Sequence, residues 1–587
     1  MTAAPEPVSG RPAPAPGHGP RQQPADTAAT GAAAATAGST PSSEAAAAAA
    51  TAAAAAAGAG ERLVLGVDLG TGGVRTALAT VHGRILAVAK RDLTTRLLPG
   101  GGAEQDPEEW WRAVTETVRE LTAAHPATAR AEALCFSSQW GGTVPADEHA
   151  DPTHPAVIWM DARGAGYARA VTGGRITVPG TGYGARRLRT WITRTGGVPT
   201  RSGKDPVGQA LWLRHERPDA YHAARYLLDV PEYLAFRAGG RAAAARDTAV
   251  LRWCTDNRDP ASLAWDPHLA RMAGLDTGKL PEQVPAATLL GPLTARAAAE
   301  LGLPRSVQVV AGTGDTTAAA LGAGAVRDHQ PHLYVGTSAW LSCHVPGKKT
   351  SLRDNIASLP AAVPGRYWVA TVQDVAGRAV DWLIENVLAD PDHPRSDQAL
   401  ARLTELAAAA APGAGGVVFA PWLNGERTPV DDPALRGAWF NLSLATTRAD
   451  LARAVFEGIA LNTRWMLEAV ERFTGRAKTP GGIGPIRFIG GGASSTLWCQ
   501  AMADILGRPI DQIAEPQLAN VRGAALLAGV ALGEVTWEQI PDLVAVERRY
   551  EPNAAYRARY DEAYAALRAH HKGNRKLYAQ LNPTAGR

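Results

Sequence analysis

Two acidic residues stand where an apolar run breaks into glycines and threonines. The first is Asp68, in Leu65-Gly66-Val67-Asp68-Leu69-Gly70-Thr71-Gly72-Gly73. The second is Asp315, in Val309-Val310-Ala311-Gly312-Thr313-Gly314-Asp315-Thr316-Thr317. The same grammar recurs without the acid at Tyr334-Val335-Gly336-Thr337-Ser338 and at Phe488-Ile489-Gly490-Gly491-Gly492-Ala493-Ser494. A strand that runs into such a turn presents consecutive backbone N–H groups with no side chain in the way, a concave nest that binds phosphate oxygens. Glycine also permits the positive φ angles that aim those donors inward. One such turn is ordinary hairpin chemistry. Four of them, falling as two pairs, predict two similar α/β domains with nucleotide held between them.

Each acid carries two readings. Aspartate before a turn often caps local N–H groups. The place of Asp68, directly ahead of Gly70-Thr71-Gly72, favours instead a partner for Mg²⁺ and its waters, because that ion binds through one or two carboxylates plus phosphates. Asp315 sits where an N-cap would open a helix over 316–321, and capping alone would explain it. A helix N-terminus also favours the ionised carboxylate, the form a general base needs. Both roles can hold at once, so Asp315 is read as a base that also lies beside the metal.

The elements that must position these residues are legible in part. Residues 62–81 read as strand, tight turn, strand. Asp106-Pro107-Glu108-Glu109-Trp110 opens a helix with Pro in its first turn and acids at its positive end, and Trp110, Val114, Val118 and Leu121 form its apolar stripe. Short buried strands run over 133–136 and 156–160. They end at Ser137-Ser138-Gln139-Trp140-Gly141-Gly142 and at Asp161-Ala162-Arg163. Residues 173–303 are Pro- and Gly-punctuated and yield no assignment. Strand, glycine turn and small-residue helix follow over 307–324, and a second hairpin over 332–345. Helices are expected over 375–387, 396–411 and 448–474. Strand, turn and helix recur over 487–506, with a small-residue helix over 519–532 and a polar helical tail at the end.

Bulk properties exclude several classes. At 587 residues with a net charge of +4, the chain has no stripe of basic and aromatic residues of the kind a nucleic-acid binder shows. Cys135, Cys254, Cys343 and Cys499 lack metal or disulfide spacing, which fits a reducing cytoplasm. Residues 1–61 are almost entirely Ala, Pro, Gly, Ser and Thr, too poor in bulky apolar surface to offset their ordering entropy, and are expected to be disordered. No stretch approaches bilayer-spanning length, and no basic n-region precedes a Leu/Val-rich core.

Taken together, these residues resemble the FGGY carbohydrate kinases, relatives of glycerol kinase and xylulokinase with the duplicated actin/hexokinase-like (ribonuclease H-like) fold and an interdomain cleft. The most specific piece is Gly437-Ala438-Trp439-Phe440-Asn441-Leu442, then seven residues, then Asp450-Leu451-Ala452-Arg453-Ala454-Val455-Phe456-Glu457. Asn441 stands where that pattern usually has glycine, and Asn tolerates left-handed backbone better than most residues. Gly425-Glu426-Arg427-Thr428-Pro429 is similar to the family's preceding loop. The resemblance implies a sugar-binding domain over 62–324, an ATP-binding domain over 325–550 and a helical tail over 551–587. It implies ATP and Mg²⁺, with Asp315 as the catalytic base and Asp68 at the metal. Gly70, Thr71 and Gly72 match one phosphate turn, Gly336, Thr337 and Ser338 the other, and Gly490, Gly491, Gly492 and Ser494 the adenosine segment. Gln139, Trp140, Asp161 and Arg163 match the segments lining the sugar pocket. Arg163 could hydrogen-bond polyol oxygens or hold Asp161 in an ion pair; Trp140 could stack on a sugar or simply pack as a wall.

Departures bear on the substrate. The xylulokinase pattern has a histidine after Gln-Met, whereas this chain reads Gln139-Trp140-Gly141, and Thr316 follows Asp315 where asparagine is common. D-Xylulose is the best match by branch, with ribulose, gluconate, xylitol and erythritol as competitors. The readings from other classes are an actin-like ATPase and a non-catalytic sugar sensor. No nucleic-acid or membrane partner is expected, and a homodimer is the default.

Overall fold

The computed structural model describes residues 60–388 and 397–583. The tail expected over 1–61 lies, but for its last two residues, outside them. The N-terminal half is built on one sheet. β1 (Leu63–Leu69), β2 (Gly73–Thr80) and β3 (Ile85–Asp92) form an antiparallel meander. After α1 (Pro107–Ala124), β4 (Ala131–Ser138) returns parallel to β1. β5 (Leu289–Pro292), β6 (Gln308–Val310) and the short β7 (Thr313–Gly314) complete it, giving the order β5-β6-β4-β1-β2-β3 with β7 on β4. α2 (Asp315–Gly322) leaves directly from β7.

The C-terminal half repeats the plan. β8 (His332–Val335) and β9 (Ala339–Ser342) form the hairpin. After the long α3 (Arg448–Thr474), β10 (Ile486–Ile489) pairs parallel to β8. α4 (Thr496–Leu506), β11 (Ile510–Ile513), α5 (Ala519–Ala531) and β12 (Val546–Tyr550) follow, for the order β9-β8-β10-β11-β12. In both halves a hairpin's first strand pairs in parallel with the strand that returns after a helical excursion. The two-domain α/β architecture expected from the paired turns is what the chain adopts.

All seven residues of β1 are buried, so both its faces are covered. That is why it reads as a continuous apolar run rather than an alternation. α1 covers β2 and β3, with Asp106 accepting from Glu108 N as N-cap and Trp110, Val114, Val118 and Leu121 buried. The opposite face of β1, β2 and β4 is covered by α5, a helix of the C-terminal half. There the approach is backbone to backbone: a β-carbon on Gly66 would lie 2.6 Å from the Val521 carbonyl oxygen.

α5 in turn packs antiparallel on α2. β-Carbons on Gly322 and Gly523 would fall 1.7 Å from Ala519 O and 1.9 Å from Ala318 O. One hydrophobic core therefore runs through the seam, including Val64, Cys135, Val310, Ala319, Ile489, Ala524 and Leu526.

Three findings fall outside the sequence reading. Residues 173–303 hold well-formed helices, among them Pro206–Glu216, Val230–Gly239 and Pro267–Ala273, capped by Asp205, Asp229 and Asp266. A small antiparallel sheet uses His344–Val345, Thr350–Ser351, Ile356–Pro360 and Tyr367–Ala370. It is tied to the N-terminal half by Lys348 Nζ to Ile192 O at 2.9 Å and Tyr367 Oη to Asn257 O at 2.9 Å. α6 (Arg557–Leu581) is a helix, as expected, but buries Tyr560, Tyr564, Leu567 and His571. Tyr560 donates to the buried Glu457 carboxylate of α3 at 2.8 Å, so this segment is a packed part of the domain rather than a polar appendage. All four cysteines are free and buried. No described helix is long and apolar enough to cross a membrane.

Overpacking a core of this density typically costs about 1–3 kcal/mol. Gly523→Ala, which pushes a methyl against a carbonyl oxygen, is expected to lower the urea midpoint by at least that equivalent. Gly573→Ala in α6, where a β-carbon meets nothing within 4 Å, is expected to stabilise by about 0.5–1 kcal/mol. Equal midpoints for the two variants would contradict the seam packing described here.

Candidate active site

Asp68 ends β1 beside Ser137 of β4, its parallel neighbour in register. Ser137 Oγ donates to Asp68 Oδ1 at 3.0 Å, and Asn520 Nδ2, from the start of α5, reaches the same oxygen at 3.5 Å. Burial pushes the Asp68 carboxyl upward, against the pull of Arg75 opposite it on β2.

Asp315 is the first residue of α2. Gly314 takes the N-cap position, so the capping role open to Asp315 in the sequence goes to its neighbour. Asp315 Oδ1 accepts instead from Thr316 N at 2.8 Å. Burial, with the charge on Asp68 adding to it and the Thr316 N–H opposing, raises its carboxyl to about 7. The two acids thus lie within each other's field. Among the described residues no cluster of three or more His, Cys, Asp or Glu could hold a metal. A pair of carboxylates, however, is what Mg²⁺ uses when it keeps several waters, and Asp68 with Asp315 fits that demand.

The glycine turns are closed by their own backbone hydrogen bonds. Gly70 N donates to Gly73 O at 2.9 Å, leaving Thr71 and Gly72 at the tip. Gly336 N donates to Ser338 O at 2.9 Å. The first turn of the helix Gly377–Asn386 backs that second bend, Gly377 N to Gly336 O at 2.8 Å and Ala376 N to Thr337 O at 3.0 Å. Gly490, at φ +87°, brings the third bend against the end of β8, where its β-carbon would lie 2.5 Å from Val335 O. The turn at 336–338 and the bend at 490–494 are therefore neighbours. Across the seam, Tyr334 feels the charges of both Asp68 and Asp315.

The segments matched to the sugar pocket are knitted to the first turn. Gln139 N donates to Leu69 O at 2.7 Å, and Thr71 Oγ1 donates to Gln139 Oε1 at 3.1 Å. Trp159 Nε1 donates to Thr71 Oγ1 at 3.0 Å. Trp140 lies with its ring 3.2 Å from where a β-carbon on Gly314 would be, and donates Nε1 to Thr248 O at 3.1 Å. It is a packed wall, yet the wall abuts the residue before Asp315.

Of the two roles open to Arg163, the structure displays the ion pair. Arg163 Nε donates to Asp161 Oδ2 at 2.8 Å, Nη2 to Glu104 Oε1 at 2.7 Å, and the guanidinium sits 3.7 Å over Trp212. Asp161 is fully buried and also accepts from Ala103 N at 2.8 Å. Asn441 adopts φ +64°, the left-handed backbone that its place in a glycine position requires.

Three polar residues of this site went unseen in the sequence. Asp247, 2% exposed, accepts through Oδ2 from Thr313 Oγ1 and from Thr317 Oγ1 at 2.9 Å. It so clamps the residues two before and two after Asp315. Asp229 accepts from Gly141 N at 3.1 Å and Gly142 N at 3.3 Å. Gln105 accepts from Gln139 Nε2 at 2.6 Å and donates to Thr71 O at 2.7 Å. Asp229 left a signal, because an aspartate two residues before Pro231 reads as a helix start. Asp247, in an alanine run, left none.

Comparisons with known proteins bear on this geometry. The family described as FGGY family of carbohydrate kinases matches through its N-terminal domain over residues 63–322 and its C-terminal domain over 333–532, leaving α6 outside. A xylulose kinase of Streptomyces rubiginosus is 30% identical over 495 residues, 84% of this chain and 91% of that protein. A gluconokinase of Bacillus subtilis strain 168 is 24% identical over 494 residues, 83% of this chain and 91% of that protein. The crystal structure of a xyloylose kinase from Brucella ovis superposes with a TM-score of 0.75 at 27% identity, covering 88% of this chain and all of that one.

Were Asp315 the base, which must be unprotonated to act, its carboxyl near 7 would give turnover an acid limb with its midpoint close to neutrality. Removing the Asp68 charge takes away one of the causes that hold the carboxyl high. The limb in Asp68→Asn should then move to lower pH, whatever happens to its plateau. A pH–rate profile of both proteins checks this, and an unmoved or raised midpoint in the variant would refute it.

Proposed function

The chain belongs to the FGGY family of carbohydrate kinases, and on that footing we propose that it transfers the γ-phosphoryl group of ATP to a hydroxyl of D-xylulose, giving D-xylulose 5-phosphate. The observation that carries this reading is the Asp68–Asp315 pair, each acid standing where a strand runs into glycines, with the Asp315 carboxyl raised to about 7 by burial and by the charge on Asp68. Asp315 takes the proton of the acceptor hydroxyl as its oxygen bonds to the γ-phosphorus. The bond from phosphorus to the bridging oxygen breaks and leaves its electron pair on ADP. Mg²⁺, held by Asp68 and Asp315 through waters, would offset the negative charge of the phosphates. Positioning and electrostatics carry most of such a transfer.

The turns over Gly70 to Gly72 and Gly336 to Ser338, through the N–H groups of Thr71, Gly72, Thr337 and Ser338, would offer backbone donors to the phosphates, and the bend at 490–494 sits beside the second of these, suited to the adenosine. Trp140 and the Gln139–Gln105–Thr71 network shape the acceptor side. Asp247 and Asp229 hold that side in place from beneath. Closure would exclude water, which otherwise competes as acceptor. ATP as substrate and four free thiols both suit a cytoplasmic enzyme.

A second acceptor class has its own support. Gln139-Trp140-Gly141 supplies no histidine and Thr316 no amide, and a gluconokinase lies among the relatives. An ADP-release assay across pentuloses, polyols and aldonates, with acceptor-free controls, decides between them. The highest kcat/KM is expected with D-xylulose; a tenfold preference for gluconate would replace it, and ADP release without acceptor would favour an ATPase. Loss of a general base costs about 10²–10⁴ in rate. Asp315→Ala should therefore lose at least that factor while ATP still binds, and near-normal turnover would sink the assignment.

A further inference from the structure

We propose that Tyr334 is a further catalytic residue of this reaction: its phenolic O–H donates a hydrogen bond to the phosphoryl group in transit, from the side opposite the two carboxylates. The proposal rests on the kinase reading above. Tyr334 lies two residues before Gly336 on β8. Its ring folds back over the second glycine turn, so closely that a β-carbon on Gly336 would sit 2.7 Å from both the phenol oxygen and Cε1. Glycine is needed at 336 because this ring occupies the place of a side chain. The phenol oxygen thus stands beside the backbone donors of the turn.

The ring is fixed there. Tyr334 and Trp340 are direct cross-strand partners on β8 and β9, and their rings stack at 3.9 Å and 8°. Trp340 is itself buried in the seam core. Side chains held by such packing lose little further freedom when a ligand arrives. The hydroxyl, by contrast, makes no hydrogen bond to any described residue, although Asp68 and Asp315 are near enough for their charges to act on it. Burial and those two charges push the phenol up to about 12, with Arg75 opposing, so it stays an O–H donor at neutral pH.

The chemistry of the site calls for such a donor. Asp68 and Asp315, both from the N-terminal half, put negative charge on one side of a group that is itself anionic. Tyr334 brings a neutral donor from the C-terminal half. Donors aimed at charge that develops in a transition state are typically worth 10²–10³ in kcat. The phenol keeps its proton throughout; the acceptor's proton goes to Asp315, and the electron pair of the broken bond goes to ADP.

The test compares Tyr334→Phe and Asp315→Ala with the wild-type chain. Phenylalanine preserves the ring, its stack on Trp340 and the cover over Gly336. A fall in kcat of about 10²-fold is expected, with acceptor KM, the ATP dissociation constant and the melting temperature all close to wild type. Binding of ADP with aluminium fluoride, a mimic of the group in transit, should weaken by a similar factor while ADP alone binds as before. A kcat within twofold of wild type, or equal affinity for the mimic, would overturn the role of Tyr334. If Asp315→Ala lost its turnover in the same experiment, the kinase reading would stand and only this inference would fall. Turnover retained in Asp315→Ala would instead remove the reading beneath it.

Discussion

The structure depends on one close approach, that of α5 to α2 and to β1. Gly322, Gly523 and Gly66 each meet a backbone carbonyl where any other residue would put a β-carbon. Helices that touch through their backbones have no side chains left to rearrange between them, and a dense interior transmits a shift rather than absorbing it. Asp315 begins one of these helices, and Asn520, which reaches Asp68, lies in the first turn of the other. The backbones that carry the two acids are therefore placed by main-chain packing.

That placement gives the site its electrostatic character. Two carboxylates brought together out of water raise each other's proton affinity, and burial adds to the effect. The N-terminal half supplies this negative pair. The C-terminal half brings Tyr334 within the field of both charges. Asp247 and Asp229, buried beneath, spend their charge on threonine hydroxyls and backbone N–H groups. Burying a carboxylate is costly unless hydrogen bonds satisfy it. These residues are held there by the loops they clamp.

Much of this was legible in the residues. The four strand-to-glycine turns pointed to the duplicated architecture, because largely buried strands that each break into glycines, falling as two pairs, leave few other meanings; the positive φ expected of such bends is found at Gly312 and Gly490 but not at 70–73 or 336–338. α3 was readable to its ends, since Thr447 and Asp450 form a capping box at one and Gly475 adopts a left-handed cap at the other. The sheet between His344 and Ala370 was not, because its strands are two to five residues long and gain their stability from pairing across loops. The ion pair of Asp161 and Arg163 could be weighed but not decided, as spacing shows that two charges can meet and not what else reaches them. Asp247 was invisible for a related reason. Its partners lie 66 and 70 residues away, and nothing local marks a carboxylate whose neighbours are assembled by the fold.

The sharing of α5 between the halves also bears on how such a protein can be taken apart. A cut near residue 325 looks like a clean boundary along the chain, yet it would strip β1 and β4 of their lid and leave a bare apolar face. Neither fragment would be a self-sufficient building block. Chimeras that join the first half of this enzyme to the second half of a relative would have to import a matching lid, glycine for glycine.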